Sequence, residues 1–135
     1  MVDAVNVAAQ VVATNDTVVF SSTRICTGCT VRHEQGSGRF VILKPGIYEV
    51  EFNANVSLPT GATVGPITLD IVQDGEAIAG SRMIYTPAAV ETLGNVSSTV
   101  LVRVYNCCCV PLSVRNSTAS DINVQDANFV ITRHC

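Results

Sequence analysis

The sequence predicts an all-β domain, a β-sandwich of eight to ten short antiparallel strands, with residues 1–135 forming one unit. Three observations carry this. Apolar residues recur at every second position through most of the chain, the period of a strand with one face on a core. Turn chemistry interrupts the alternation about every ten residues, the spacing of sandwiches and barrels. No apolar stripe of period 3.6 competes with it. A chain of 135 residues buries roughly two-thirds of its unfolded surface, enough for a core without metal or disulfide staples.

Each element follows from its residues. Val5, Val7, Ala9 and Val11 alternate with Asn6, Ala8 and Gln10. After Asn15-Asp16 comes an apolar run from Thr17 to Phe20. Phe40 and Ile42 follow Gly36-Ser37-Gly38, and Lys44-Pro45-Gly46 makes a turn in which proline fixes φ. A long strand then has Tyr48, Val50, Phe52, Ala54 and Val56 on one face and Glu49, Glu51, Asn53 and Asn55 on the other. Beyond Pro59-Thr60-Gly61, the run Ile67, Leu69, Ile71 enters the hairpin signal Asp74-Gly75, with a return strand over residues 77–85. Residues 88–93 are allowed one helical turn. Val100, Val102 and Val104 alternate with Leu101, Arg103 and Tyr105, and Val110, Leu112 and Val114 make a short strand. After a turn at 116–120 come Ile122 and Val124, and finally Phe129 and Ile131. The predicted core is Tyr48, Val50, Phe52, Val100, Val102, Leu112, Phe129 and Ile131.

Charge narrows the functional classes. Charged residues are 14% of the chain, against about 25% in an ordinary domain. Asn, Ser and Thr must therefore cover the surface, or other chains must bury part of it. A net charge of −3, with Lys44 the one lysine and the arginines spread along the chain, excludes phosphate-backbone recognition, so no nucleic-acid partner is expected. No segment approaches the roughly 20 apolar residues of a membrane span, and no membrane partner is expected. The first residues carry no basic region ahead of an apolar run, which reads as synthesis in the cytoplasm without a signal peptide. The triplets at Asn15, Asn55, Asn95 and Asn116 match glycosylation acceptors but read as chance in so Asn- and Ser-rich a chain.

No catalytic motif emerges. His33, beside Glu34, reads as a surface loop residue, and His134 as an exposed terminal one. Glu49 and Glu51 share a strand face about 7 Å apart, a separation some glycosidases use. Glycosidase carboxylates, however, come from different elements around a cleft, so this pair reads as a solvated or assembly face. Asp70, Asp74 and Glu76 surround a hairpin and read as turn chemistry first, with a calcium site as the alternative. No catalytic residue and no cofactor are expected.

Six cysteines remain: Cys26, Cys29, Cys107, Cys108, Cys109 and Cys135. Three readings stay open. They pair as disulfides, with fifteen pairings available to six cysteines. They stay thiols in a reducing compartment. Or Cys26, Cys29, Cys107, Cys109, Cys135 and His134 supply a tetrahedral metal shell. The thioredoxin-type reading of Cys26-Thr27-Gly28-Cys29 fails for want of a βαβ context. Each remaining role is structural.

Gly38-Arg39-Phe40, then Pro45-Gly46-Ile47-Tyr48 and its alternating strand, then residues 69–78 with Asp74-Gly75-Glu76, the pair 97–105 and 110–114, and the ending Ala127-Asn128-Phe129-Val130-Ile131 resemble the C1q/TNF-like jelly-roll superfamily over residues 18–133. Asn106-Cys107-Cys108-Cys109 departs from that family's Gly-Asp turn. Cys26-Thr27-Gly28-Cys29, followed by Gly36-Ser37-Gly38-Arg39-Phe40 and the cysteine cluster, is similar to small proteins of phages and prophages of gut Firmicutes. The resemblance implies a homotrimer whose interface uses Glu49, Glu51, Asn53 and Asn55, with Arg115 and Arg133 as their charge partners from neighbouring strands of the same sheet. It implies a non-enzymatic virion protein, structural or receptor-binding, whose partners are its own copies, other virion proteins and a host receptor or glycan. A bacterial surface or spore-coat adhesion module, and a small carbohydrate-binding or hydrolytic protein, are the alternatives.

Overall fold

The computed structural model describes residues 1–28, 30–105 and 109–134. In chain order the strands are β1 (Val2–Asn6), β2 (Gln10–Val12), β3 (Ser22–Cys26), β4 (Val31–His33), β5 (Phe40–Ile42), β6 (Gly46–Ser57), β7 (Ile67–Gln73), β8 (Glu76–Ala77), β9 (Met83–Tyr85), β10 (Gly94–Val104), β11 (Val110–Asn116) and β12 (Ile122–Arg133). They form two antiparallel sheets. The front sheet runs β10-β6-β12-β1-β3, with β2 also paired to β12. The back sheet runs β4-β5-β11-β7-β8, with β9 also paired to β7.

Alternation places the core between the sheets. Tyr48, Val50, Phe52, Ala54 and Val56 of β6 point inward and are buried. Their register neighbours Val102 on β10 and Phe129 and Ile131 on β12 are buried beside them, and Leu112 faces them from the back sheet. Of the expected core only Val100 is half-buried, packed against the core's rim. Four phenylalanines join the layers: Phe40 lies with its centroid 5.4 Å from Phe20 and 4.7 Å from Phe129, and Phe52 lies 6.2 Å from Phe129. The tilted and edge-on contacts suit the ring quadrupole. The buried Tyr48 hydroxyl donates to the Lys44 carbonyl at 2.7 Å. Burial pushes its phenol pKa up, against the opposing charge of Arg133.

Several expectations are corrected. The first strand has the opposite register: Val2, Ala4 and Val12 are buried, while Val7 and Val11 are 68% and 66% exposed. The chain leaves the sheet between β1 and β2, where the Asn6 amide donates to the Ala8 carbonyl, so alternation does not carry across the break. Residues 17–20 form no continuous strand. They make single bridges, Thr17 to Arg115 and Phe20 to Ser37, yet Val18 and Phe20 insert fully into the core. β3 and β4 each form one edge of a sheet, and neither has clean alternation. The return strand over 77–85 splits into β8 and β9 around Gly80, at φ +85°. Residues 88–93 hold a turn with Glu91 at φ +62° and no helix. These splits raise the strand count above the eight to ten expected.

Gly38 is fixed by proximity. A Cβ there would sit 2.5 Å from the Val18 carbonyl oxygen, and a backbone atom cannot step aside. Gly38 is what lets residues 17–20 lie between β11 and the turn at residues 36–38.

Candidate functional site

The outer face of the front sheet is built in rows fixed by register. Thr99, Glu51, Val130, Asp3 and Ile25 run across β10, β6, β12, β1 and β3. Leu101, Glu49 and Thr132 form the next row, and Ser97, Asn53, Asn128 and Val5 the row on the other side. Glu49, Glu51, Asn53 and Asn55 therefore do point away from the core. The Asn95 amide donates to Asn53 Oδ1 at 2.7 Å and Asn55 Oδ1 at 3.1 Å, and the Asn55 amide donates to Asp126 at 3.3 Å. Further along, Asn128 donates to Asp3, whose other oxygen takes Arg24 Nη1 at 2.9 Å. Apolar groups stand among these polar ones: Leu101 is 67% exposed and Ile25 39%.

The arginines foreseen for this face are arranged differently. Arg133 lies at the end of β12, in the same sheet, but donates to the Pro45 carbonyl at 2.8 Å. Arg115 lies on β11, in the back sheet, opposite Asp70, so it is not the neighbour of Glu49 and Glu51 that the sequence suggested. Glu49 instead meets His134 Nε2 at 2.8 Å, and Glu51 makes no ion pair among the described residues. The carboxylate pair lies on an open strand face, not in a cleft.

The back sheet carries a charge cluster that sequence reasoning missed. Asp70, grouped by sequence with the hairpin residues Asp74 and Glu76, turns away from them. Its carboxylate receives Arg82 Nε and Nη2, each at 3.0 Å, and the Ser117 hydroxyl at 2.6 Å. The Arg82 hydrogen bonds hold its carboxyl below the ordinary value of 3.8; burial opposes them, and Ser117 and the Arg82 and Arg115 charges add to them. A lowered pKa stabilises the fold above the unfolded-state value, and the contribution is lost as pH falls through the folded one. In thermal melts, wild type is therefore expected to exceed Asp70→Asn at neutral pH, with the gap narrowing below about pH 3.8. A gap independent of pH would show that the carboxylate charge is not what stabilises the cluster.

His33 is not a plain loop residue. Its ring lies on β4, stacked on Phe40 at 4.2 Å. Nε2 lies 2.8 Å from the Ser37 carbonyl and Nδ1 2.8 Å from the Thr23 hydroxyl. A carbonyl only accepts, so Nε2 carries the hydrogen and Nδ1 accepts in the neutral ring. His33 thus ties β3, β4 and the turn before β5 together.

Cys26 is exposed at the end of β3, and Cys109 is exposed just before β11. Cys29, Cys107, Cys108 and Cys135 lie outside the described residues. Val2 pairs with both Cys26 and Ile131, Val104 pairs with Gly46, and Ile42 pairs with both Val31 and Val110. The described ends of every segment that bears a cysteine thus share one end of the sandwich. Among the described residues no group of His, Cys, Asp and Glu is arranged to hold a metal ion.

No family model matches the sequence, and no curated protein matches it. Solved structures do. The globular domain of a zebrafish complement 1qA protein aligns with TM-score 0.69 at 11% identity, over 98% of this chain and 98% of that one. The Eiger TNF of S. frugiperda aligns with TM-score 0.72 at 12% identity, over 99% and 91%. Murine APRIL aligns with TM-score 0.64 at 10% identity, over 91% and 96%. With its two antiparallel sheets and their strand order, the chain has the C1q/TNF-like jelly-roll fold.

Proposed function

We propose that this chain is a non-enzymatic binding module that assembles as a homotrimer through the outer face of its front sheet. The observation that carries the reading is on that face. Leu101 and Ile25 are exposed in the rows of Glu49 and Glu51, the same sheet face carries an ordered asparagine network, and Glu51 makes no ion pair among the described residues. Covering apolar groups favours association, by roughly 25 cal/mol per Å² removed from water. Asn53 and Asn55 already hold fixed orientations, so little side-chain entropy is lost on contact. The low overall charge supports the same conclusion. Glu49, Glu51, Asn53, Asn55 and Arg133 belong to the proposed interface. Arg115, on the opposite sheet, does not.

Sedimentation is expected to give a trimer at micromolar concentration. Leu101→Asp is expected to weaken it at least about tenfold, since a buried unpaired carboxylate costs more than 1.4 kcal/mol. Ile84→Asp, on the back sheet and 63% exposed, is expected to leave it unchanged. A monomeric wild type, or equal behaviour of the two variants, would reject the interface.

The same reading places the trimer on a bacteriophage particle as a structural or receptor-binding protein. The charge-poor surface supports this. Immunogold labelling of purified particles tests it; label confined to bacterial or spore surfaces would favour the adhesion alternative.

A further inference from the structure

The arginines are not spread in space as they are in sequence. Arg32, Arg39, Arg82 and Arg115 share the outer face of the back sheet: Arg32 is opposite Val41, Val41 is opposite Pro111, and Arg115 is opposite Asp70, which binds Arg82. Arg82 has its carboxylate. Among the described residues, the exposed Arg32 and Arg39 make no ion pair, and the buried Arg115 Nε has no hydrogen-bond partner. Arg32 and Arg39 line one cleft of about 110 Å³ together with Glu34, Ser37 and Val41.

We propose that this cleft binds one carboxylate or sulfate group of an acidic saccharide. Two guanidinium groups in one cleft repel each other until an anion lies between them, and their planar forks match a carboxylate or sulfate oxygen pair. Ser37 adds a donor. Its hydroxyl oxygen accepts the Arg39 backbone N–H at 3.0 Å, and its carbonyl is held by the His33 ring, so its own O–H is free to turn into the cleft. The volume suits one oxyanion group, with the rest of the ligand lying over the open sheet. A saccharide fits better than an acidic peptide. Protein interfaces draw most of their energy from a few anchors, aromatic ones prominent among them, seated in well-packed pockets, and the one apolar lining residue, Val41, is buried and offers no such pocket. Glu34 works against the anion and sets a limit on affinity.

This deepens the binding-module reading by naming a ligand class, and it uses the face opposite the proposed trimer contact. The test is calorimetric titration of the full chain with a sulfated tetrasaccharide, a uronic-acid tetrasaccharide and an acidic peptide of equal charge. Sedimentation in the same buffer reports assembly separately. Binding of either saccharide is expected to weaken about tenfold in Arg32→Gln and in Arg39→Gln, the worth of one charge-assisted hydrogen bond. It is expected to tighten in Glu34→Gln and to fall as salt rises. Lys44→Gln, which removes the same charge from an exposed turn, is expected to bind like wild type. The two saccharides distinguish a carboxylate from a sulfate ligand. No saccharide binding at millimolar concentration, equal losses in Lys44→Gln and Arg32→Gln, or tighter binding of the peptide would overturn the proposal, whatever the oligomeric state.

Discussion

Phe20→Ala is expected to lower the unfolding free energy by roughly 3–5 kcal/mol, the cost of a large cavity in a packed core. Phe20 is fully buried and touches rings from both sheets: Phe40 on the back sheet at 5.4 Å, and Phe52 and Phe129 on the front sheet at 6.4 and 5.8 Å. Truncating it removes contacts in both directions. The neighbouring rings are held by strand pairing and cannot collapse into the gap. Val19→Ala, next to it and 38% exposed, is expected to cost under about 1 kcal/mol. Urea titration of both variants measures the difference. Similar midpoints would mean that residues 17–20 lie against the sandwich without filling it.

Asn116→Ala is expected to cost roughly 3 kcal/mol. Asn116 is completely buried. Its amide nitrogen donates to the carbonyls of Val12 and Ser120, both at 3.0 Å, and its Oδ1 accepts the Thr118 N–H at 2.9 Å. Alanine strands all three backbone groups, and each buried group left without a partner costs about 1–3 kcal/mol before any relaxation. The loss is expected in urea titration with an unchanged m-value. A cost below about 1 kcal/mol would mean that water replaces the side chain. In the folded chain neither its amide nor its surroundings leave room for a glycan, so the triplet at Asn116 is a structural element.

What the sequence disclosed depended on how locally each feature is encoded. The inward series of β6 and the ends of β10 and β12 were legible because one face meets the core and the other water without interruption. Val7 and Val11 misled because the same alternation continues through a break in the sheet, where no glycine or proline marks the departure. β3 was invisible because its residues are largely exposed and pattern-free; pairing with β1 alone makes it a strand. The candidate faces were half legible. Glu49, Glu51, Asn53 and Asn55 followed from parity along one strand. Arg115 did not, because assigning it to a sheet requires knowing which strands cross over. The Asp70–Arg82–Ser117 cluster joins residues 12 and 47 positions apart, and neither spacing has a local signature. His33 had no sequence signal for its role.

β12 lies between β6 on one side and β1 with β2 on the other, so β1 must wait for β12. Until β12 docks, Val2 and Ala4 have no ladder partner on that side, and the inner edge of β6 stays open. Such long-separated pairing slows folding toward the millisecond-to-second range, and the half-made front sheet presents unpaired edges that invite intermolecular pairing. Folding of this domain is therefore a race between docking of β12 and aggregation at those edges.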